Sequence, residues 1–306
     1  MSGPANLNAS RGNRLGIGIF RLLLKCGGLR PAFWLARFVT WFYAAFDRRA
    51  FAATAQYLHL RFPEDAGDPR RLRRHFHRLL AELAKMLIVA HWTGSGRQLP
   101  LEEIDAERLP AEGGVVVVLA HCDCWQAAMP FLNTRSGRKI NIMAQPDQGE
   151  LDKYLAFGDR RDFAVISTEG FSGGLLEASA ALARGEAVIV MGDRPVPGTA
   201  TAEAPYFGGK LAVPLSPWLL AARNDVPAVA AFTEWHDDPP RIDIRYCEPF
   251  VFPPSGGGRV RSDMLMPGVE RYVRELEDFA RRSPYRVFRF GGEAEKENRL
   301  QTEENG

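Results

Sequence analysis

Residues 120–126 (AHCDCWQ) bring a histidine, a carboxylate, two thiols and an amide together within seven positions. They follow an apolar run at 115–120 that is typical of a fully buried parallel strand, and a helical pattern follows them. In open α/β sheets, ligand and catalytic groups gather at the carboxyl ends of strands. A histidine at such a place can accept a proton from a hydroxyl near neutral pH. The pattern therefore predicts His121 as a general base.

Two residues could orient the imidazole of His121 through its second ring nitrogen. Asp123 lies two positions later and Gln126 lies five positions later. The same two residues also form a capping-box pattern, in which Asp123 would be the N-cap of the following helix and Gln126 its N3 residue. A catalytic partner and a helix cap are therefore both open for Asp123. Gln126 could fix the tautomer of the imidazole, although an amide stabilises an imidazolium less well than a carboxylate does.

Cys122 and Cys124 raise two other chemistries for this segment. Either thiol could act as a nucleophile with His121 as its base, but neighbouring residues on a strand-to-turn segment usually point apart. A zinc site is the other possibility, and the spacing lacks the paired Cys-x-x-Cys framework of structural zinc sites. The sequence therefore predicts no metal ligands.

Two later segments could contact a substrate. Gly192, Asp193 and Arg194 follow the apolar run 187–191 and should emerge at the same sheet edge as His121. Arg194 could bind a phosphate or stabilise an oxyanion, with Asp193 holding Arg194 or its loop. Phe207 and Gly208 lie in a loop at 205–214 that could close over an apolar ligand or could be a packed turn.

Short apolar strands alternate with helices over much of the chain. Strands are predicted at 115–120, 140–144, 163–167, 187–191, 226–232 and, at an edge, 242–247; helices are predicted between them at 124–132, 148–157, 173–184 and 214–224, followed by one at 265–282. This alternation predicts an α/β fold with a mostly parallel sheet and helices on both faces.

The N-terminal region differs from the rest in composition. Residues 15–46 are strongly apolar and aromatic, Gly27, Gly28 and Pro31 divide them into two helices, and further helices are expected at 47–62 and 69–92. Residues 1–97 carry 16 Lys or Arg against 5 Asp or Glu, an excess of 11 positive charges. Aromatic and basic residues together favour a helical membrane-association region over a pair of helices packed only on the protein's own core.

These patterns divide the chain into four parts. We expect a loose tail at 1–14, the helical membrane-association region at 15–100, the α/β domain at 101–291 and a disordered tail at 292–306. No window of about 20 residues in the N-terminal region is free of charge, which argues against an ordinary spanning helix. Four cysteines in 306 residues do not form a disulfide framework, so a reducing compartment is expected.

Several of these segments, in their order, resemble the lipid A biosynthesis (lauroyl/myristoyl) acyltransferase family of the lysophospholipid acyltransferase superfamily. The resemblance is closer to the predicted branch that has a Gly-Asp-Arg block. It rests on residues 49–63, on His121 to Gln126 against the family's His-x4-Asp/Glu motif, on Gly192-Asp193-Arg194, on Tyr206-Phe207-Gly208, on 214–222 and on 283–288. The chain departs from the family at Gln126, where an acid is expected.

The resemblance implies the transfer of an acyl group from a thioester of acyl carrier protein or coenzyme A, with no bound cofactor. The acceptor would be a hydroxyl or amine of a lipid or lipid precursor at the cytoplasmic face of the bacterial inner membrane. The partners would thus be the thioester, the lipid and the membrane surface, with no nucleic acid. Because Gln126 replaces the acid, a non-catalytic acyl- or lipid-binding protein on the same scaffold is the alternative.

Overall fold

A computed structural model describes residues 22–25, 27–128, 137–144, 163–169, 173–195, 199–254 and 260–288. The predicted tails at 1–14 and 292–306, the predicted helix at 148–157 and most of the first apolar helix lie outside these residues. The division of the chain into four parts therefore stays a prediction.

The described part of the N-terminal region is helical and includes α1 (Leu29–Phe46), α2 (Arg48–Arg61) and α3 (Pro69–Gly94). Residues 22–25 and 27, which precede α1, are also helical. Gly28, at a φ of 77°, separates α1 from the residues before it, and Asp47 and Asp68 accept backbone N–H groups at the starts of α2 and α3. The helices predicted at 47–62 and 69–92 are thus confirmed. The buried positions of α1 are small (Ala32, Ala36, Thr40 and Ala44), so its backbone packs closely along α3.

A seven-stranded sheet forms the centre of the rest of the chain. In chain order its strands are β1 (Leu101–Ile104), β2 (Val115–Leu119), β3 (Ile140–Ala144), β4 (Phe163–Ser167), β5 (Ala187–Met191), β8 (Ala228–Asp237) and β9 (Pro240–Tyr246). Their order across the sheet is β1-β9-β8-β2-β5-β3-β4, and every neighbouring pair is parallel except β8 and β9. The predicted mostly parallel α/β sheet is therefore confirmed.

The middle of this sheet is fully enclosed. All five side chains of β2 and four of the five in β5 are buried. Because successive side chains of a strand point to opposite faces, both faces of the sheet are covered at this point. The covering helices are α4 (Trp125–Ala128), α5 (Leu175–Ala183), α6 (Ser216–Arg223) and α7 (Ser262–Arg282).

The placement of residues 242–247 at a sheet edge is wrong. Strand β9 lies between β8 and β1, and β1 is the edge strand. Ile242, Ile244 and Tyr246 are buried while the residues between them are more exposed, so β9 has one core face and one polar face. On the polar face Arg241 pairs with Asp243 and with Glu102 of β1, which allows charged residues in a strand with two neighbours.

A two-stranded hairpin replaces most of the loop expected at 205–214. Strands β6 (Thr201–Tyr206) and β7 (Gly209–Pro214) pair antiparallel and are joined at Phe207 and Gly208. Both linking residues have positive φ, 47° and 75°, as a tight two-residue hairpin turn of this hand requires. Alternating burial along β6, with Ala204 and Tyr206 inside, explains why these residues form a strand.

Within the residues that the structure describes, no helix combines the length and the apolar character needed to cross a bilayer.

Candidate functional site

The side chains of His121 and Asp193 meet at the carboxyl edge of the sheet. Strands β2 and β5 are parallel neighbours with Leu119 opposite Met191, and each of the two residues lies two positions beyond its strand. The backbone N–H of Gly192 donates to the carbonyl of Leu119 at 2.8 Å, so the pairing continues past the strand ends. His121 Nδ1 lies 2.8 Å from Asp193 Oδ1. The two strands therefore hold an imidazole against a carboxylate.

Burial of this pair is unequal. The side chain of Asp193 is 1% exposed, whereas that of His121 is 26% exposed. A carboxylate accepts hydrogen bonds, so the imidazole that faces it donates from Nδ1 and leaves the lone pair on Nε2. Among the described residues, His121 has its one side-chain hydrogen bond with Asp193 and an edge-on ring contact with Trp125. A partly exposed imidazole with Nε2 unprotonated can accept a proton from a molecule that reaches the sheet edge.

Gly192 is required by the packing beneath this pair. A Cβ atom added there would lie 2.4 Å from Val118 Cγ1 and 3.1 Å from the ring of Tyr272. The hydroxyl of Tyr272 donates to the carbonyl of Leu119 at 3.0 Å, so the tyrosine cannot move aside without losing that bond. The predicted contact of Gly192 with substrate stays a prediction. The packing around Gly192 explains why the position needs a glycine.

Asp123 is neither the partner of His121 nor a side-chain cap of α4. Its carboxylate accepts a hydrogen bond from Arg286 Nη1 at 3.0 Å, and its side chain is 0% exposed. Burial raises the pKa of Asp123 to about 6, and the charge of Arg286 opposes that rise. At the start of α4 the carbonyl of Cys124 accepts the N–H groups of Ala127 and Ala128. Asp123 therefore forms a buried ion pair with Arg286, and takes neither the predicted role of partner to His121 nor that of helix cap.

Gln126 lies partly buried on the single turn of α4, and its side chain makes no hydrogen bond with His121. The geometry therefore does not support the predicted role of Gln126 as the group that orients His121, because Nδ1 of His121 is hydrogen-bonded to Asp193. The position where the resemblance leads one to expect an acid is a glutamine, and the carboxylate comes from the neighbouring strand.

A short segment at 284–288, which we call the strap, lies against the loop that carries His121. Phe288 N donates to the carbonyl of His121 at 2.8 Å, Asp123 N donates to the carbonyl of Arg286 at 2.7 Å, and Cys122 and Val287 form an antiparallel bridge. Arg194 Nη2 donates to the carbonyl of Phe288. The strap therefore contacts both the loop of His121 and the loop of Asp193.

The predicted substrate contacts Phe207 and Gly208 lie at the tip of the β6–β7 hairpin. The ring of Phe207 packs against the guanidinium groups of Arg61 and Arg281, at 5.4 Å and 4.9 Å, and its N–H donates to Glu277 at 2.8 Å. These contacts fix the hairpin against α2 and α7. A role of Phe207 or Gly208 in binding substrate stays a prediction.

The thiols of Cys122 and Cys124 are buried and poorly suited to nucleophilic chemistry. Burial raises the pKa of both well above the usual value, and the negative charge of Asp123 raises it further. Among the described residues, no three His, Cys, Asp or Glu side chains are grouped as metal ligands would be.

Sequence reasoning placed Asp193 at the right edge and beside Arg194, whose Nε lies 4.0 Å from Asp193 Oδ2, but it did not predict the contact of Asp193 with His121. The available signal was the equal offset of His121 and Asp193 from the ends of their apolar runs, which brings them level once the two strands pair. Arg286 was missed altogether, because its contact with Asp123 spans 163 positions and no local pattern marks it.

A parallel α/β sheet that holds a partly exposed histidine against a buried carboxylate at the ends of neighbouring strands is an arrangement that can carry out general-base chemistry. The family of bacterial lipid A biosynthesis acyltransferases matches residues 12–247, and the chain belongs to that family. The protein is therefore an acyltransferase.

The chain is similar to that in the crystal structure of the 1-acyl-sn-glycerophosphate (LPA) acyltransferase, PlsC, from Thermotoga maritima, with 15% identity and a TM-score of 0.37. That similarity covers 80% of this chain and 97% of the Thermotoga chain. No curated protein matches the chain.

Proposed function

We propose that this acyltransferase moves a fatty acyl group from a thioester of acyl carrier protein or coenzyme A to a hydroxyl or amine of a lipid or lipid precursor. The observation that carries the proposal is the contact of His121 Nδ1 with the buried carboxylate of Asp193 at 2.8 Å. An imidazole held in this way keeps Nε2 unprotonated on the side of the ring away from the carboxylate, which an acyl-transfer base requires.

The proposed reaction is a direct displacement. His121 Nε2 takes the proton of the acceptor as the acceptor oxygen or nitrogen forms a bond to the thioester carbonyl carbon. The tetrahedral intermediate collapses, the carbon–sulfur bond breaks, and the imidazolium returns its proton to the leaving thiolate. Asp193 stabilises the transient imidazolium and keeps the ring in one tautomer. No group of the protein is acylated in this sequence.

Arg194 supplies positive charge beside this reaction. One terminal nitrogen of its guanidinium is engaged by the Phe288 carbonyl, and its Nε lies 4.0 Å from Asp193 Oδ2. The guanidinium would stabilise the oxyanion or a phosphate of the donor or acceptor. Because the side chain is 33% exposed, a substrate at the sheet edge could reach it.

The alternative of a non-catalytic acyl-binding protein rested on the missing acid at Gln126. That reason is weakened, because Asp193 places a carboxylate on the imidazole from a different strand. We therefore retain the catalytic function as the proposal.

A direct assay tests this function. Purified full-length protein in mixed micelles would be given radiolabelled acyl-CoA or acyl-carrier-protein thioesters with a panel of lipid alcohols and amines. We expect thioester loss together with a labelled, acylated lipid whose formation requires the acceptor. Protein that has been heat-denatured serves as the background. Absence of labelled lipid with every donor and acceptor would remove the proposal.

We also propose that α1 binds the surface of a membrane. Its outward face carries Trp34, Phe38, Trp41, Phe42 and Phe46, each between 59% and 74% exposed. Such a row of large aromatic side chains is unusual on a surface that faces water and is typical of interfacial helices. Arg30 beside it is 83% exposed and adds attraction to anionic lipids.

The position of α1 fits delivery of a lipid to the site. Phe33 contacts Trp235 edge-on with ring centroids 6.3 Å apart, and Arg30 lies 3.8 Å from Asp238. Trp235 lies where β8 continues past the ends of β2 and β5, and Asp238 directly follows β8; His121 and Asp193 meet at the same edge of the sheet. A helix resting on a lipid surface would thus hold the site close to lipid acceptors, at the cytoplasmic face of a bacterial inner membrane in our proposal.

Removing the aromatic face should weaken membrane binding. In the triple variant Trp34→Ser, Phe38→Ser, Trp41→Ser we expect the partition coefficient onto vesicles of phosphatidylethanolamine and phosphatidylglycerol to fall at least tenfold, measured by co-sedimentation. Leu176→Ser with Val251→Ser is the matched control, because these two apolar residues are equally exposed away from α1. Equal binding by the triple variant and the control would contradict the membrane surface.

A further inference from the structure

A buried ion pair lies behind the loop of His121. Arg286 is the centre of it: Nη1 donates to Asp123 Oδ2 at 3.0 Å and to the carbonyl of Trp235 at 2.8 Å, and Nε donates to Glu82 at 3.1 Å. One guanidinium therefore joins the His121 loop, strand β8 and helix α3. Neither Arg286 nor Asp123 is hydrogen-bonded to the imidazole of His121.

The backbone between His121 and Asp123 adopts a conformation that needs such support. Asp123 has a φ of 45°, in the left-handed region that residues other than glycine rarely enter. A conformation of this kind persists only where its surroundings hold it. Here Asp123 is held on both sides, by its N–H on the Arg286 carbonyl at 2.7 Å and by its carboxylate on the Arg286 guanidinium.

The strap that carries Arg286 is itself fixed from outside. The carbonyl of Pro284 accepts the hydroxyl of Tyr57 at 2.6 Å, and the hydroxyl of Tyr285 lies 2.9 Å from His75 Nδ1. His75 in turn contacts Asp65 at 2.8 Å and stacks on Phe62. These contacts hold the strap in place. Because Arg286 lies on the strap, its position in turn fixes the position of Asp123.

We infer that Arg286 and Asp123 are positioning residues, which hold the turn after β2 so that the ring of His121 stays in line with Asp193. This inference rests on the proposed function, since it names what keeps the proposed base in place. A charge-assisted hydrogen bond that is buried and shared among three elements is directional, and it is lost when either partner is removed. A misplacement of about 1 Å can lower a rate about 100-fold.

Burial adds a second reason for the pairing. The carboxyl of Asp123 is enclosed, and burial is the main cause of its raised pKa, with the charge of Arg286 acting in the other direction. Without Arg286 the carboxylate would lose its main compensating charge and its directional partner together. The turn would then relax toward an ordinary φ and carry the imidazole with it.

The experiment compares Arg286→Met and Arg286→Lys with wild-type full-length protein. Arg286→Met removes the charge, and Arg286→Lys keeps it on a group that cannot form the same three directed bonds. We expect kcat to fall about 30-fold to 100-fold in Arg286→Met and about tenfold in Arg286→Lys, because a misplaced His121 ring slows the reaction by about this order of magnitude. KM should change less than about threefold. Arg241→Met is the matched control, because Arg241 also pairs with an aspartate but lies on the polar face of β9.

A second readout does not depend on activity. In protein labelled with ¹⁵N-histidine, the resonances of His121 are identified by their loss in His121→Gln. We expect wild type to show the Nδ1-protonated tautomer and both Arg286 variants to show a mixture of tautomers, while Arg241→Met matches wild type. If wild type transfers no acyl group, the proposed function fails and this spectrum still tests the positioning role. A folded Arg286 variant with wild-type kcat, or with an unchanged His121 spectrum, overturns the inference.

Discussion

Alanine in place of His121 should lower kcat for acyl transfer by about three to four orders of magnitude, and Asp193→Asn should lower it by a similar factor. The alanine variant lacks the base. The asparagine variant keeps the shape of the pair at 2.8 Å but can turn an N–H toward Nδ1, which selects the tautomer with its proton on Nε2. In that tautomer the outward nitrogen cannot accept a proton. Steady-state rates with a saturating acceptor measure the effect.

His236→Ala is the matched control for this pair. His236 Nε2 lies 2.7 Å from Asp243 and its side chain is 31% exposed, so its setting is close to that of His121 without the contact to Asp193. We expect its kcat to stay within twofold of wild type. The two losses should not add in the double variant of His121 and Asp193, because the residues act as one unit. Full activity of Asp193→Asn would show that the carboxylate does not orient the base.

The second large effect concerns stability. Gly192→Ala should lower the free energy of unfolding by about 3 kcal/mol, at the upper end of what overpacking a core costs. The new methyl would lie 2.4 Å from Val118 Cγ1, and the side chains of Val118 and Tyr272 are both buried. Because Asp193 follows directly, the same substitution should also displace the carboxylate and reduce kcat. Denaturant unfolding followed by far-UV circular dichroism measures the stability change.

Gly67→Ala gives the comparison for Gly192→Ala. Gly67 has no atom within 4 Å of an added Cβ and no positive φ, so we expect its unfolding free energy to change little. Equal stability of the two alanine variants would mean that the interior beneath the site can rearrange around a methyl group.

Strands at the centre of the sheet were predictable because their whole length is apolar. Runs such as 115–119 and 187–191 are buried on both faces, and few other local structures use five consecutive β-branched or apolar residues between turns. Strand β1 was not predicted, since Leu101–Ile104 has charged residues in its middle and only partial burial. Its pairing with β9 depends on a partner about 140 positions away, which no local pattern reveals.

The site shows the same division between local and distant information. The position of His121 at the carboxyl edge of the sheet was predictable, because the residue directly follows an apolar run. Its partner was not, because choosing Asp193 over Asp123 requires knowing that β2 and β5 are neighbours in register. The capping-box pattern of Asp123 and Gln126 predicted a local bond, and the tertiary contact with Arg286 replaced it. Which partner a charged side chain contacts near the site thus depends on the pairing of distant segments, and the local sequence does not predict that pairing.

The strap has a consequence for how the enzyme is made. During translation the residues of β2 and β5 leave the ribosome long before Arg286, and the sheet around them can begin to pair while synthesis continues. The loop of His121 acquires its backbone bonds to 286–288 only after those residues emerge. Nascent chains and products of premature termination before residue 286 therefore contain both members of the His121–Asp193 pair without the segment that braces them. Synthesis itself would delay catalysis until the chain has been translated through the strap.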